Sequence, residues 1–201
     1  MRAGRDSPSK KRTLLRAPSK TPQEHRARAP ASVRFAILTV SDSRSPETDR
    51  GGDTARDRLE RAGHRVLRRV LVTDDAERIR VAVGEALEDA EVEALLLTGG
   101  TGVAPRDVTV EAVADLLEKR LEGFGEIFRS LSFLEIGPSA FLSRALAGTA
   151  RGRAVFVLPG SPAAVSLAID RIVAPEVGHL VAELSRPAGR LPAAGRGGAG
   201  C

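Results

Sequence analysis

A three-layer α/β/α sandwich built on a mostly parallel sheet is the fold this sequence predicts, and three observations predict it. Apolar runs of strand length alternate with amphipathic stretches from residue 33 to residue 184, the signature of repeated strand–helix units whose sheet is covered on both faces. Right-handed crossovers between such units place helices on either side of the sheet. The strands run into loops rich in Gly, Ser, Thr and Asp, most clearly at Thr98-Gly-Gly-Thr-Gly102. Finally, 42% of the 201 residues are apolar, with six Phe and no Trp or Tyr. That is enough for one core built from Leu, Val, Ile and Ala.

Taken in order, Val33-Arg-Phe-Ala-Ile-Leu-Thr-Val40 reads as a buried strand. Asp53 to Ala62 has helical spacing, closed by Gly63 as a C-cap signal. His64 to Val72 is a second strand, its apolar run interrupted by Arg65, Arg68 and Arg69. Ala76 to Ala90 places Ile79, Val83 and Leu87 at spacings of four and is amphipathic. Ala94 to Thr98 is a third strand, and Thr109 to Leu121 is helical with Val113, Leu116 and Leu117 on one face. Phe124, Ile127, Phe128 and Leu131 form another helical stripe over 123–134. Residues 135–150 fit no single period, and Phe141 to Leu146 suits a short helix or a strand. Arg153 to Leu158 is the last strand. Pro159-Gly-Ser-Pro162 turns it into a helix from Ala163 to about Ile172, with a further helical stretch over 175–184.

The net charge of +5 belongs to one end. Residues 1–31 carry nine Lys or Arg against two acids, whereas the remaining 170 carry 22 basic and 24 acidic side chains. The chain therefore divides into a disordered basic arm (1–31), a folded domain (32–185) and a flexible Pro/Ala/Gly/Arg tail (186–201). A mildly acidic domain with few aromatics argues against nucleic acid as partner. The single cysteine, Cys201, rules out an intrachain disulfide or a Cys-based metal site and fits a reducing cytoplasm. No apolar run reaches the ~18 residues of a membrane span, and the arm lacks the apolar region of a secretory signal.

Ligands of open α/β sheets gather beyond the carboxyl ends of the strands. The four ends here are Ser41-Asp-Ser-Arg44, Thr73-Asp-Asp75, Thr98–Gly102 with Asp107, and Pro159-Gly-Ser-Pro162. Three glycines in five positions expose backbone N–H groups to an anion at the start of a helix. A tight turn alone would explain one or two of them. The ending of a Walker A loop and the dinucleotide fingerprint are both missing. Carboxylates beside a phosphate site repel it unless a divalent cation bridges them, and Mg²⁺ is the usual choice. Asp42, Asp74 and Asp107 are the candidates. Each also has a structural alternative: Asp42 as an N-cap or turn former, Asp74 and Asp107 as caps for the helices at Ala76 and Thr109. Glu126 is either a fourth acid or a first-turn helix residue. The three histidines have no partner at zinc-ligand spacing, and the serines lack a nucleophile elbow.

Phe35-Ala-Ile-Leu-Thr-Val-Ser-Asp42, Thr98-Gly-Gly-Thr-Gly102, Arg106-Asp-Val-Thr109, Gly123-Phe-Gly-Glu126, Leu131-Ser-Phe133 and Leu158-Pro-Gly-Ser-Pro162 together resemble the MoaB/MogA family of molybdenum cofactor biosynthesis, in order and over about residues 33–184. The resemblance implies a molybdopterin-binding domain assembled as a homotrimer or homohexamer. It also implies adenylylation of molybdopterin by Mg-ATP with release of pyrophosphate, and hand-over of the product to a molybdate-insertion enzyme. Within that pattern Asp74 and Asp107 are the catalytic acids and Mg²⁺ ligands. Ser41, Asp42, Thr98, Gly99, Gly100, Thr101, Gly102, Glu126, Pro159, Gly160 and Ser161 are substrate- or phosphate-binding positions. Leu131-Ser-Phe-Leu-Glu-Ile-Gly137 is similar to the B-type branch, which offers the alternative of a non-catalytic molybdopterin-binding scaffold. Phosphoryl-type transfer suits a site with no covalent nucleophile, because it rests on positioning and charge stabilisation.

Overall fold

Strand pairing explains both the agreement and the departures from this reading. The computed structural model describes residues 29–186. All but the last three residues of the expected arm, and all but the first of the expected tail, lie outside the described residues. The elements are β1 (Arg34–Val40), α1 (Arg50–Arg61), β2 (Arg65–Val72), α2 (Ala76–Glu88), β3 (Ala94–Thr98), α3 (Thr109–Ala114), β4 (Lys119–Arg120), α4 (Glu122–Ile136), a 3-10 segment (Gly137–Leu142), β5 (Leu146–Ala150), β6 (Arg153–Leu158), α5 (Pro162–Ala168) and α6 (Ala174–Leu184). The six strands form one sheet in the order β2-β1-β3-β6-β5-β4. The pairs β1–β2, β1–β3 and β3–β6 are parallel, and the β4–β5 and β5–β6 pairs are antiparallel.

The alternation of side chains along β1 divides the core in two. Val33, Phe35 and Ile37 face one layer with Leu59 of α1, Phe128 of α4 and Val177 of α6. Ala36, Leu38 and Val40 face the other with Ile79, Val83 and Leu87 of α2 and Val113 of α3. Period-2 strands thus feed two layers of period-3.6 helices. Phe35, Ile37, Leu38, Leu95, Leu96 and Leu97 are almost wholly buried, worth roughly 1.5–3 kcal/mol each in removed apolar surface.

Three departures have physical causes. The helix expected over 109–121 stops at Ala114, because the chain beyond it pairs with β5. Glu118 N–H donates to Thr149 O at 2.8 Å, and Leu121 N–H to Ala147 O at 2.8 Å. Gly148 permits that approach: a Cβ there would lie 2.5 Å from Lys119 O and 2.6 Å from Leu117 Cδ1. Residues 146–150 are therefore a strand, joined to β6 by a two-residue turn in which Arg151 (φ 49°) and Gly152 (φ 72°) both take left-handed geometry, as the tight hairpin turn requires. The two helical stretches expected at the C-terminal end are one run, bridged by a π-helical segment at Ile169–Val173. Pro175 has no N–H to donate into that ladder, and the wider turn accommodates the loss.

Candidate functional site

The parallel strands β2, β1, β3 and β6 all end on one edge of the sheet, and the loops beyond them enclose a cavity of about 500 Å³. Its walls include Ser41, Ser43 and Arg44 from the β1 loop, Asp74 from β2, Gly99–Gly102 and Asp107 from β3, and Pro159–Ser161 from β6. The loop glycines are there because backbone must touch backbone. A Cβ on Gly99 (φ 102°) would fall 2.2 Å from Val40 O, and the Gly99 N–H donates to Leu158 O at 3.1 Å. A Cβ on Gly100 (φ 60°) would fall 2.2 Å from Thr109 Oγ1 and 2.7 Å from Asp74 Oδ1. One on Gly102 would fall 2.6 Å from Asp107 Oδ2. The loop is thus a bare strip of backbone laid against two carboxylates.

Neither acid serves as a helix cap. Asp75, not Asp74, caps α2, accepting from Arg78 N–H at 2.9 Å. The cap position of α3 is Val108, without a side-chain bond. The Asp107 carboxylate instead accepts Ala104 N–H at 2.8 Å and closes its own loop. The structural alternatives for both residues are therefore corrected. Asp42 is a turn residue of a particular kind: its carboxylate accepts Asp74 N–H at 2.9 Å, and its own N–H donates to Asp74 Oδ2 at 3.1 Å. It also pairs with Arg106.

Asp74 ionises less readily than a free aspartate. Partial burial is the first cause and the nearby charge of Asp107 the second. Two carboxylates on one cavity wall, with the charge of Asp107 near enough to disfavour ionisation of Asp74, are a donor set suited to a hard cation. No group of three or more His, Cys, Asp and Glu comes together among the described residues, so the protein supplies no complete cage. Mg²⁺ needs none, since it keeps several waters and takes one or two carboxylates plus substrate phosphates. Asp74 and Asp107 fit that role.

Of the other expected residues, Ser41, Thr101, Pro159, Gly160 and Ser161 line the cavity. Ser161 also caps α5, accepting Ala164 N–H at 3.3 Å. Thr98 is fully buried, and its hydroxyl donates to Pro159 O at 3.0 Å, holding the β3 and β6 turns together. Glu126 lies apart: it is exposed on α4 and is not among the cavity walls.

Several site residues escaped sequence reasoning. Arg44 reaches Gly160 O at 3.2 Å and Asp49 Oδ1 at 3.6 Å, and Arg106 stands 65% exposed at the rim. Asp49, 4% exposed, accepts Thr39 Oγ1 at 2.7 Å, Gly52 N–H at 2.9 Å and Arg69 Nη2 at 3.0 Å. Burial pushes its carboxyl up, but these hydrogen bonds outweigh burial and hold it below the usual value. A buried Thr–Asp–Arg network behind the β1 loop leaves no local motif. The one available signal was the run of arginines in β2, charged side chains that need partners in a strand.

The family model described as "probable molybdopterin binding domain" matches residues 36–179. The chain is 48% identical over 164 residues to molybdenum cofactor biosynthesis protein B of Bacillus cereus, covering 81% of this chain and 97% of that one. It is 46% identical over 165 residues to the protein of the same name from Bacillus subtilis, with 82% and 97% covered. Among solved structures, a molybdenum cofactor biosynthesis protein B superposes with a TM-score of 0.75 at 48% identity, covering 78% of this chain and 98% of that chain. The tungsten cofactor synthesizing protein MoaB of Pyrococcus furiosus superposes with a TM-score of 0.71 at 33% identity, with 79% and 100% covered.

Proposed function

This chain belongs to the molybdopterin-binding family of molybdenum cofactor biosynthesis, and from that premise we propose that it adenylylates molybdopterin with Mg-ATP. The observation that carries the reading is the closeness of Asp74 Oδ1 to Gly100 and of Asp107 Oδ2 to Gly102 along one glycine-rich loop. Neither is used as a helix cap, and Asp74 ionises less readily than a free aspartate. In the reaction a terminal phosphate oxygen of molybdopterin bonds to the α-phosphorus of ATP. The bond from that phosphorus to the bridging oxygen breaks, and pyrophosphate leaves with the electron pair.

The residues have positioning work to do rather than covalent work. The N–H groups of Gly100, Thr101 and Gly102 in the β3 loop and of Gly160 and Ser161 in the β6 turn are placed to hold phosphate oxygens. Arg44, fixed by Asp49 and Gly160 O, presents a charge that a phosphate can share. Arg106 sits at the open rim, where a departing pyrophosphate would pass. Mg²⁺ held by Asp74 and Asp107 would neutralise phosphate charge. Asp42 keeps Asp74 aimed at the cavity through the paired hydrogen bonds. The adenylylated product is then passed to a molybdate-insertion enzyme.

Self-assembly as a trimer or hexamer belongs to the same proposal. Ile127, Phe133, Leu134, Ile136, Phe141 and Leu142 are all exposed on α4 and the 3-10 segment, an apolar face of the kind that marks an interface. The B-type stretch 131–137 contributes to this face rather than to the cavity. The second reading, a scaffold that binds molybdopterin without turning it over, rests on the likeness of this stretch to the B-type branch.

Pyrophosphate release with molybdopterin, ATP and Mg²⁺ separates the two. Release by wild type that is lost in Asp74→Ala and in Asp107→Asn supports catalysis. Tight molybdopterin binding with no release in wild type overturns it in favour of the scaffold. Sedimentation velocity tests assembly, and a monomer at micromolar concentration would exclude it.

A further inference from the structure

Arg144 is the side chain through which the C-terminal half of the chain grips the β3 loop, and it lies in the stretch whose period was ambiguous. Its Nε donates to Thr101 O at 3.0 Å and its Nη2 to Asp107 O at 2.9 Å. Both terminal nitrogens also engage the Glu111 carboxylate on α3. One planar guanidinium therefore spans the two ends of the loop that carries Asp107 and ties them to the first turn of the following helix. Burial pushes the Glu111 carboxyl up, but the hydrogen bond from Arg144, a backbone hydrogen bond and the Arg144 charge together outweigh it and hold the group below its ordinary value.

Little else from outside holds this loop. Residues 102–106 are exposed. Their internal ties are Asp107 N–H to Ala104 O at 2.9 Å and Ala104 N–H to Asp107 Oδ2. Arg106 reaches across to Asp42. The backbone around Arg144 is itself fixed, with Ala145 buried and Arg129 Nη1 donating to Ser143 O at 3.5 Å. Arg144 is not one of the cavity walls, although Ser143 and Leu142 beside it are. Its donors are directed at protein rather than at the ligand space. With Nε, Nη1 and Nη2 all engaged by protein oxygens, the guanidinium has an orienting role.

We infer that Arg144 is the positioning residue of the site: it sets the conformation of the Thr101–Asp107 loop and thereby the direction of the Asp107 carboxylate. The inference rests on the reading of Asp107 as a catalytic acid. The fork geometry is required, because a lysine offers a point charge in place of two fixed, divergent donors. Displacing a catalytic group by about 1 Å can cost on the order of 100-fold in rate.

Two measurements on the full-length protein test this, and the first does not depend on turnover. In hydrogen–deuterium exchange, Arg144→Ala should speed exchange of the amides at 104 and 107 by roughly tenfold or more while β1 keeps its protection. Unchanged protection at 104 and 107 overturns the inference, whatever the activity. Should Arg144→Ala fail to fold, Arg144→Lys replaces it with the same expectation and the same overturning result. In the pyrophosphate assay, Arg144→Ala should lower kcat by about 10- to 100-fold and change the KM for ATP by less than about threefold. Adding Glu111→Gln to Arg144→Ala should lower kcat no further, because Glu111 acts through Arg144. Wild-type kcat in Arg144→Ala, alongside a dead Asp107→Asn, overturns the positioning role alone. Wild-type turnover in Asp107→Asn overturns the reading of Asp107 on which the role rests.

Discussion

Asp42 and Asp74 each accept the other's backbone N–H, at 2.9 Å into Asp42 and 3.1 Å into Asp74. This reciprocal pair stitches the ends of β1 and β2 together and leaves Asp74 Oδ1 beside Gly100. Asp42→Ala removes one of the two bonds and the partner of Arg106, so Asp74 loses its orientation. Turnover should fall by about tenfold or more, with unfolding free energy changed by only about 1 kcal/mol. Asp42→Asn keeps an acceptor oxygen and should retain more activity than Asp42→Ala. Equal pyrophosphate release by the two variants would show that the hydrogen bond is not what matters.

The raised pKa of Asp74 fixes the sign of a stability effect. A carboxyl whose folded-state pKa lies above its unfolded value of 3.8 contributes stability at low pH and loses it as pH rises through the folded value. At neutral pH the ionised Asp74 is therefore a burden in the metal-free protein. Discounted for solvent screening, Asp74→Asn should raise Tm by about 1–2 °C without divalent cation. Millimolar Mg²⁺ should raise the Tm of wild type and leave that of Asp74→Asn nearly unchanged. Calorimetry in EDTA and in MgCl₂ measures both.

Gly100 separates site from fold. Its positive φ and the closeness of Asp74 Oδ1 and the buried Thr109 hydroxyl leave no room for a methyl group. Gly100→Ala should abolish pyrophosphate release and cost roughly 1–3 kcal/mol of stability. Retained turnover would mean that the loop is free to move aside.

Asp49 makes the opposite separation. Asp49→Ala leaves Arg69, Thr39 and Gly52 N–H without their shared acceptor and should destabilise the fold by about 3 kcal/mol. Since the folded pKa of Asp49 is lowered, its contribution is present above 3.8 and disappears as pH falls through the folded value. Wild type should thus lose stability towards low pH more steeply than Asp49→Asn, as urea unfolding at a series of pH values would report.

Sequence reading reached the parts of this molecule that local chemistry dictates. The buried strands, α2 and the glycine loop follow from residue type and spacing, and the family resemblance was carried by motifs at those strand ends. What escaped depends on partners far along the chain. Leu116 and Leu117 continue a helical period, yet β5 draws Lys119 and Arg120 into the sheet. Arg144 sits in a stretch without clear period, and its partners Thr101 and Asp107 are about 40 residues away. Asp74 and Asp75 are adjacent, and only their backbone geometry decides which caps α2 and which faces the cavity. Glu126 is the reverse case: a motif residue that the helix turns towards solvent.

The strand order β2-β1-β3-β6 has one further consequence. The cavity takes its walls from loops strung between Ser41 and Ser161, and the last strand to enter, β6, lies beside β3 near the middle of the sheet. An amino-terminal portion that ends before β6 contains the walls from β1, β2 and β3 but lacks Pro159, Gly160 and Ser161 and the Leu158 O that accepts Gly99 N–H. The site is complete only when the final βα unit has docked. A chain that stops before β6 presents its carboxylates and glycine loop without the second turn that closes the cavity, so full ligand capture is a report of completed folding.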